Sequence, residues 1–221
     1  MTKIDKVVSY KQKVYERLKE DIITGKIHQG EVLNERKLSD TLGISRTPIR
    51  EALQVLEAEG WVIVEPWKGI YVKKFTNEDM ENVLNVRRSL EVLAVESTIH
   101  NLKDYDIKRL EAILEEQAGL REKYDADLFI SIDRKFHELI SELANNSVLT
   151  SMLNIISDKV RCLGIKALHT HERYIETLKE HTAILEAIKN REVDVAKKAM
   201  EYHMIQTSRT VYKFYEEDLN E

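Results

Sequence analysis

Residues 32–61 read VLNERKLSDTLGISRTPIREALQVLEAEGW, and the spacing of capping, apolar and glycine residues in this stretch decides the fold of the N-terminal part. Asn34 is a favourable N-cap for a short helix, and Gly43 supplies the left-handed residue that ends it. Ser45 is the predicted N-cap of a second helix, which runs to Gly60. Two helices joined by a tight glycine-containing turn are typical of a helix-turn-helix. The apolar face of the second helix consists of Ile49, Ala52, Leu53 and Leu56.

The flanking residues extend this motif on both sides. An amphipathic helix is predicted over residues 8–24, where apolar residues recur at every fourth position. Residues 61–65 and 70–74 are rich in β-branched and aromatic side chains, and the turn-forming sequence PWKG separates them. Three helices followed by a hairpin predict a winged helix-turn-helix domain over residues 1–75.

The remaining part of the chain, residues 76–221, is predicted to be an all-α helical bundle. It contains no proline and only two glycines, so few residues interrupt a helix. The predicted fold class is therefore mainly α. Apolar periodicity predicts about six helices, at residues 77–101, 104–123, 126–144, 148–168, 172–189 and 191–216.

Composition limits the class of protein and its compartment. No apolar run approaches the ~18 residues needed to cross a bilayer. The first residues, MTKIDKVVSYKQK, lack the apolar segment of an export signal. The single cysteine, Cys162, cannot form an internal disulfide, which fits a reducing compartment. These features predict a soluble, cytoplasmic protein that does not bind membranes.

The N-terminal part carries the charge and the side chains expected of a DNA-binding domain. It has 14 basic and 11 acidic residues, whereas the rest of the chain has 20 basic and 28 acidic. Arg46, Thr47 and Arg50 lie opposite the apolar face of the helix after the turn, where the major groove would receive them. Each arginine could contact a base or a phosphate, or remain a solvated surface residue. Two further candidates, for backbone phosphates, are Arg36 and Lys68.

Four polar side chains interrupt the apolar faces of the C-terminal helices. Asp133 and His137 stand four residues apart on one helix, and His181 and His203 stand on two others. Three imidazoles and a carboxylate form a ligand set for a divalent metal. Zinc is the favoured ion, with nickel, manganese and iron as alternatives. For each histidine, the alternative is a core residue hydrogen-bonded to a neighbour.

Two arginines are candidates for binding an acidic effector. Arg87 lies in line with the apolar face of the first C-terminal helix, and Arg161 lies beside that of the fourth. A guanidinium at either position could pair with the carboxylate of a small ligand. For Arg87, the alternative is an intrahelical ion pair with Glu91, four residues further on.

Several of these stretches resemble a known family. LNERKLS, SRTPIREAL and LEAEGW, within residues 8–74, resemble the DNA-binding domain of the GntR superfamily of bacterial regulators. DRKFHELI and EHTAILEAI, within residues 77–216, are similar to the FCD-type effector domain of its FadR-like members.

The resemblance implies roles for individual residues. It implies DNA contacts at Arg36, Arg46, Arg50 and the wing glycine Gly69. It also implies a bound divalent metal whose open positions accept a carboxylate-bearing effector. The positions that match the family's metal ligands are Asp133, His137, His181 and His203.

The sequence features and the family resemblance together predict a transcriptional regulator that responds to a metabolite and is not an enzyme. This regulator is predicted to bind double-stranded operator DNA as a homodimer. A metal-dependent hydrolase is the alternative from another class, although the HExxH and ExxH pairs of such enzymes are absent from the sequence. A third alternative is a regulator whose metal is purely structural, or that holds no metal. Its effector would then bind elsewhere.

Overall fold

The computed structural model describes residues 9–168 and 170–218, with side chains described except at 163–168 and 214–218. The chain divides into two compact units, Met1–Thr76 and Asn77–Glu221. The predicted fold class is confirmed, since the described residues are mainly helical with one small sheet in the first unit. The helices are α1 Tyr10–Ile23, α2 Glu35–Leu42, α3 Arg46–Ala58, α4 Asn77–Asn101, α5 Asp104–Ala118, α6 Ala126–Leu143, α7 Ser147–Leu168, α8 His171–Lys189 and α9 Val193–Asp218.

The first unit packs α1 and α2 against the apolar face of α3. Asn34 caps α2 as predicted, because its side chain accepts the backbone N–H groups of Arg36 and Lys37. Gly43 ends α2 with a φ of 64°, as the turn requires. Ser45 occupies the N-cap position of α3 but makes no capping hydrogen bond among the described residues, so the prediction was wrong for its side chain. Ser45 is exposed, and water can satisfy the first N–H groups of α3 there.

A three-stranded antiparallel sheet completes the first unit. Its strands are β1 Val32–Leu33, β2 Val62–Glu65 and β3 Gly69–Val72, in the order β1-β3-β2. The strands β2 and β3 form the predicted wing hairpin, and each is one residue shorter than predicted. β1 was not predicted, because two residues are too few to show the alternation that identifies a strand.

The second unit contains the six predicted helices with adjusted ends. α5 stops at Ala118 instead of continuing to residue 123, and a turn of 3₁₀-helix follows at Gly119–Arg121. α9 begins at Val193, after Arg191 adopts a left-handed φ of 56°. Within this unit α4 packs against α6, α7 and α9, and α8 packs against α5 and α9. The core therefore lies between helices that are distant in the sequence.

A buried hydrogen bond joins α4 to α6 in this core. The hydroxyl of Thr98 is fully buried and donates to the carbonyl oxygen of Ile140 at 2.6 Å. The same carbonyl accepts the N–H of Ala144 at 3.1 Å, so it keeps a partner if the hydroxyl is removed.

Thr98→Val is expected to lower the free energy of unfolding by about 1 kcal/mol, because it deletes one net hydrogen bond and conserves the side-chain shape. Urea denaturation of the full chain measures this change. Ser89→Ala, on an exposed turn of the same helix, is the control and should leave the free energy of unfolding unchanged within about 0.5 kcal/mol.

Candidate functional site

Three helices of the second unit bring the four predicted polar side chains together. Asp133 and His137 lie one turn apart on α6, His181 lies on α8, and His203 lies on α9. One potential ligand atom of each residue lies within 4.8 Å of those of the other three. We call these four residues the quartet.

The inner nitrogens of the quartet face one another at short range. His137 Nε2 and His203 Nε2 are 3.2 Å apart, and Asp133 Oδ1 is 3.5 Å from His181 Nε2. The three imidazoles are buried, whereas the Asp133 side chain keeps 19% of its surface exposed. The quartet is thus closed on the histidine side and open to solvent at the carboxylate.

Each histidine has an outer partner at its other ring nitrogen. His203 Nδ1 donates to the carboxylate of Glu180 at 2.6 Å, and His137 Nδ1 lies 3.1 Å from that of Glu91. His181 Nδ1 is 3.0 Å from the amide oxygen of Gln117. Because a carboxylate only accepts, the proton of His203 sits on Nδ1 and its Nε2 lone pair faces the quartet.

Two buried arginines hold the outer carboxylates. Arg173 binds Glu180 through two hydrogen bonds of 2.8 Å and donates to the Thr207 hydroxyl at 3.1 Å. Arg87 lies 3.3 Å from Glu91 through its Nε. The predicted intrahelical ion pair of Arg87 is therefore present. The roles of Arg173 and Glu180 were not predicted from the sequence, although their seven-residue spacing on α8 places both on one helix face.

The residues of the quartet fit a divalent metal chemically. Burial and the nearby positive charges lower the pKa of His181 and His203 well below the ordinary value, so both imidazoles are neutral at pH 7. His181 Nε2 is buried and has no hydrogen-bond partner among the described side chains. A buried nitrogen without a partner is costly, and a bound cation would satisfy it. The quartet could therefore hold a metal ion.

A cavity of about 280 Å³ opens beside the quartet. Arg87 lines it in addition to pairing with Glu91, and its role in effector binding stays a prediction. Arg161, the other predicted effector residue, also lines the cavity and lies 3.7 Å from Asp158. The complete lining is Arg87, Asp127, Ile130, Ser131, Asp133, Arg134, His137, Ser157, Val160 and Arg161.

The predicted DNA-reading side chains lie on the solvent side of α3. Arg46, Thr47 and Arg50 are exposed, and the apolar residues of the same helix are buried on the opposite face. Arg50 donates to Glu35 on α2 through Nε at 2.9 Å and through an Nη at 2.7 Å. This pair fixes the direction of the Arg50 side chain, which the sequence did not reveal.

The remaining predicted DNA contacts lie on α2 and on the wing. Arg36 is exposed and 4.0 Å from Asp40, one turn further along α2. Lys68 lies in the turn between β2 and β3 and pairs with Glu65 at 2.9 Å. Gly69 has a φ of 124°, a conformation that favours glycine, and pairs with Glu65 in the sheet register.

Comparison with known proteins identifies the family. The sequence profile of the bacterial regulatory proteins of the gntR family matches residues 10–72, and that of the FCD domain matches residues 82–206. The chain is 31% identical over 202 residues to the HTH-type transcriptional regulator YdhC of Bacillus subtilis, covering 91% of this chain and 90% of the relative. The chain belongs to the GntR family. As a GntR regulator with an FCD domain, it is a DNA-binding transcriptional regulator.

Other relatives of this GntR chain match it over nearly its full length. It is 25% identical to the transcriptional repressor RspR of Escherichia coli over 220 residues, covering 98% of this chain and 95% of the relative. The structure of E. coli McbR/YncC has a TM-score of 0.77 at 25% identity, covering 95% of this chain and all of that one. These matches are to regulators, so the hydrolase alternative has no support from them.

A further comparison concerns the second unit alone, and the lengths of the helices bear on membrane insertion. The metal-free FCD domain of TM0439 shares its fold, with a TM-score of 0.53 at 19% identity, covering 64% of this chain and 98% of that domain. No helix in the described ranges is both long and apolar enough to span a bilayer.

Proposed function

We propose that this GntR regulator senses a small carboxylate at a divalent metal held by the quartet, and that this sensing controls operator binding by a homodimer. The observation that carries the proposal is the convergence of three buried imidazoles and one carboxylate on a point beside a cavity. Three nitrogen donors and one oxygen donor suit zinc, which we favour over nickel, manganese and iron.

The outer partners support a metal-binding role for the quartet. Metal-ligating histidines commonly donate their second N–H to a carboxylate or carbonyl, which orients the ring. Glu180, Glu91 and Gln117 stand at the second nitrogens of the three quartet histidines. A divalent ion held by the quartet would supply a Lewis-acid centre that attracts an anionic ligand.

The charges around the cavity support an acidic effector. Its lining includes three arginines, two aspartates and two serines: Arg87, Arg134, Arg161, Asp127, Asp133, Ser131 and Ser157. Arg87 also contacts Glu91, so an effector carboxylate that pairs with Arg87 would act on the helix that carries both residues. This helix, α4, begins directly after the DNA-binding unit in sequence, at Asn77.

The DNA-binding part of the proposal places α3 in the major groove. Arg46, Thr47 and Arg50 would contact base edges or phosphates, while Arg36, Lys68 and Gly69 would contact the DNA backbone. A homodimer on a pseudo-palindromic operator doubles the contacts of one small winged domain. Because coupling between sites is reciprocal, an effector that weakens operator binding must bind the DNA-bound protein less tightly.

A panel of small mono-, di- and tricarboxylates tests the proposal. The DNA probe is a duplex selected from a randomised library by the parent chain, and its affinity is measured with and without each acid after loading with zinc. At least one carboxylate should change the affinity for the duplex. A response to none of them would contradict carboxylate sensing.

Arg87→Met is expected to weaken the response to an active carboxylate about tenfold, because it removes a charge-assisted hydrogen bond and keeps the apolar stem of the side chain. The measurement is the carboxylate concentration that produces half of the change in duplex affinity. Arg109→Met, at a half-exposed arginine of α5 that does not line the cavity, is the matched control. Equal responses of the two variants would remove Arg87 from the effector site.

A further inference from the structure

A carboxylate of α2 holds the guanidinium of Arg50 on α3 along one edge. Arg50 Nε donates to Glu35 Oε1 at 2.9 Å, and Arg50 Nη2 donates to Glu35 Oε2 at 2.7 Å. Glu35 therefore occupies the side edge of the guanidinium, which consists of Nε and Nη2. The end edge, where Nη1 and Nη2 each carry a further N–H, is left for another partner. The Arg50 side chain is 62% exposed, so such a partner can come from outside the chain.

The local sequence fixes the position of Glu35. It is the first residue of α2 and directly follows the N-cap Asn34, whose side chain accepts the backbone N–H groups of Arg36 and Lys37. The helix dipole also favours a carboxylate in this first turn. The hydrogen bonds from Arg50 lower the pKa of Glu35, so the carboxylate is charged at neutral pH. Glu35 is therefore a fixed and ionised partner for the arginine.

The contact between Arg50 and Glu35 differs from those of the other basic side chains that are predicted to bind DNA. Arg36 lies 4.0 Å from Asp40, and Lys68 lies 2.9 Å from Glu65, each through a single nitrogen. A two-point contact fixes the plane of a guanidinium as well as its position. Arg50 is therefore oriented before it meets DNA.

The pairing with Glu35 changes which group of the DNA suits Arg50. A guanidinium whose charge is matched by a carboxylate gains less from a phosphate, and the phosphate also repels that carboxylate. The N–H groups of the end edge are still donors. In the major groove, guanine presents two uncharged acceptors, O6 and N7, and paired N–H donors of an arginine match them. The pair therefore favours the edge of a guanine over a phosphate.

We propose that Glu35 is a specificity-determining residue, which occupies the side edge of Arg50 and so directs the end edge to a guanine instead of a phosphate. Glu35 is a positioning residue, because it acts through Arg50 and makes no contact with DNA itself. The inference rests on the proposed placement of α3 in the major groove. It adds which side chain sets the base preference of Arg50, and it is independent of the metal and of the effector.

Glu35→Gln in the full chain tests the positioning role. Dissociation constants are measured for the selected duplex and for duplexes in which one G·C pair of each half-site is replaced by A·T. Arg50→Ala identifies the guanine that depends on Arg50. The parent should prefer this guanine about tenfold or more, and Glu35→Gln should lose most of the preference. Its salt slope should also steepen by about one unit per subunit, because the released guanidinium then pairs with a phosphate.

A double variant and a charge-matched variant separate positioning from a general structural effect. In the Arg50→Ala background, Glu35→Gln should change the base preference no further, since Glu35 acts only through Arg50. Glu57→Gln removes an exposed carboxylate from α3 and should keep the full preference.

Three results would overturn the proposal, and they have different consequences. Full guanine preference in Glu35→Gln would remove the positioning role and leave the reading role of Arg50 intact. A further loss of preference on adding Glu35→Gln to Arg50→Ala would show that Glu35 supports the fold of the unit instead. If Arg50→Ala changed the preference at no base pair, the proposed base contact of Arg50 itself would fail.

Discussion

Replacing Arg46 and Arg50 together with alanine is expected to weaken binding of the selected duplex on the order of a hundredfold or more. Each contact to a base edge contributes about 1–3 kcal/mol, and the proposed homodimer would make each contact twice. The double variant should fold normally, since both side chains are exposed at the surface of α3. Fluorescence anisotropy with the labelled duplex measures the change, at a fixed salt concentration.

The control for this variant removes equal charge from the same unit. Lys11→Ala combined with Lys13→Ala deletes two exposed positive charges from α1 and should change the affinity only slightly. The single variants then separate the two arginines. Removing an arginine that reads a base flattens the sequence preference at that base, whereas removing one that binds a phosphate weakens all duplexes alike and lowers the salt slope by about one unit. Similar affinities of the arginine and lysine double variants would exclude α3 as the reading helix.

Removing two quartet residues, in Asp133→Ala with His181→Ala, is expected to abolish stabilisation by metal. A ligand that binds only the folded state stabilises it by about 2.7 kcal/mol at a hundredfold excess over its dissociation constant. For a unit of this size, this corresponds to an increase in melting temperature of several degrees. Zinc should therefore raise the melting temperature of the parent and leave that of the double variant unchanged, as measured by differential scanning calorimetry.

Two further variants are controls for loss of the fold and for nonspecific binding of zinc. Asp133→Asn is nearly isosteric at a partly exposed position, so the variant should fold normally. It should still lose most of the increase in melting temperature that zinc causes in the parent. His100→Ala with His171→Ala removes two exposed histidines and should keep the full increase. If zinc still raised the melting temperature of the variant with Asp133→Ala and His181→Ala, the metal would bind elsewhere.

The quartet shows how much of a site local periodicity can reveal. Each of its histidines stands on the apolar face of an amphipathic helix, so spacing alone predicted that Asp133, His137, His181 and His203 point inward. Their convergence depends on three helices meeting, which the sequence suggested only through the resemblance. The other histidines do not interrupt the apolar faces of the predicted helices, so periodicity predicts that they lie at the surface. His28, His100 and His171 are exposed, and His169 lies outside the described residues.

The outer partners could not be predicted in the same way. Gln117 reaches His181 from α5, and Glu91 reaches His137 from α4, so both contacts depend on helix packing that periodicity does not specify. Glu180 is adjacent to one quartet histidine in sequence but hydrogen-bonds another, on α9. The pairing of Arg50 with Glu35 across α2 and α3 is likewise a tertiary contact.

The fold was predictable where local signals were strong. Asn34 and Gly43 marked the ends of α2, and the absence of proline after residue 75 indicated continuous helices. Elements without a local signal were missed, such as the two-residue strand β1, which pairs with β3. The left-handed conformation of Trp67 was also unpredictable, because bulky residues rarely adopt it.

Elemental analysis of the full chain tests the central claim most directly. The protein is purified without chelator and without a nickel column, and divalent metals are counted per chain before and after incubation with zinc, nickel or manganese. We expect about one ion per chain in the parent. A folded parent that contains no metal, and takes up none of the three when supplied, would contradict a metal-dependent sensor.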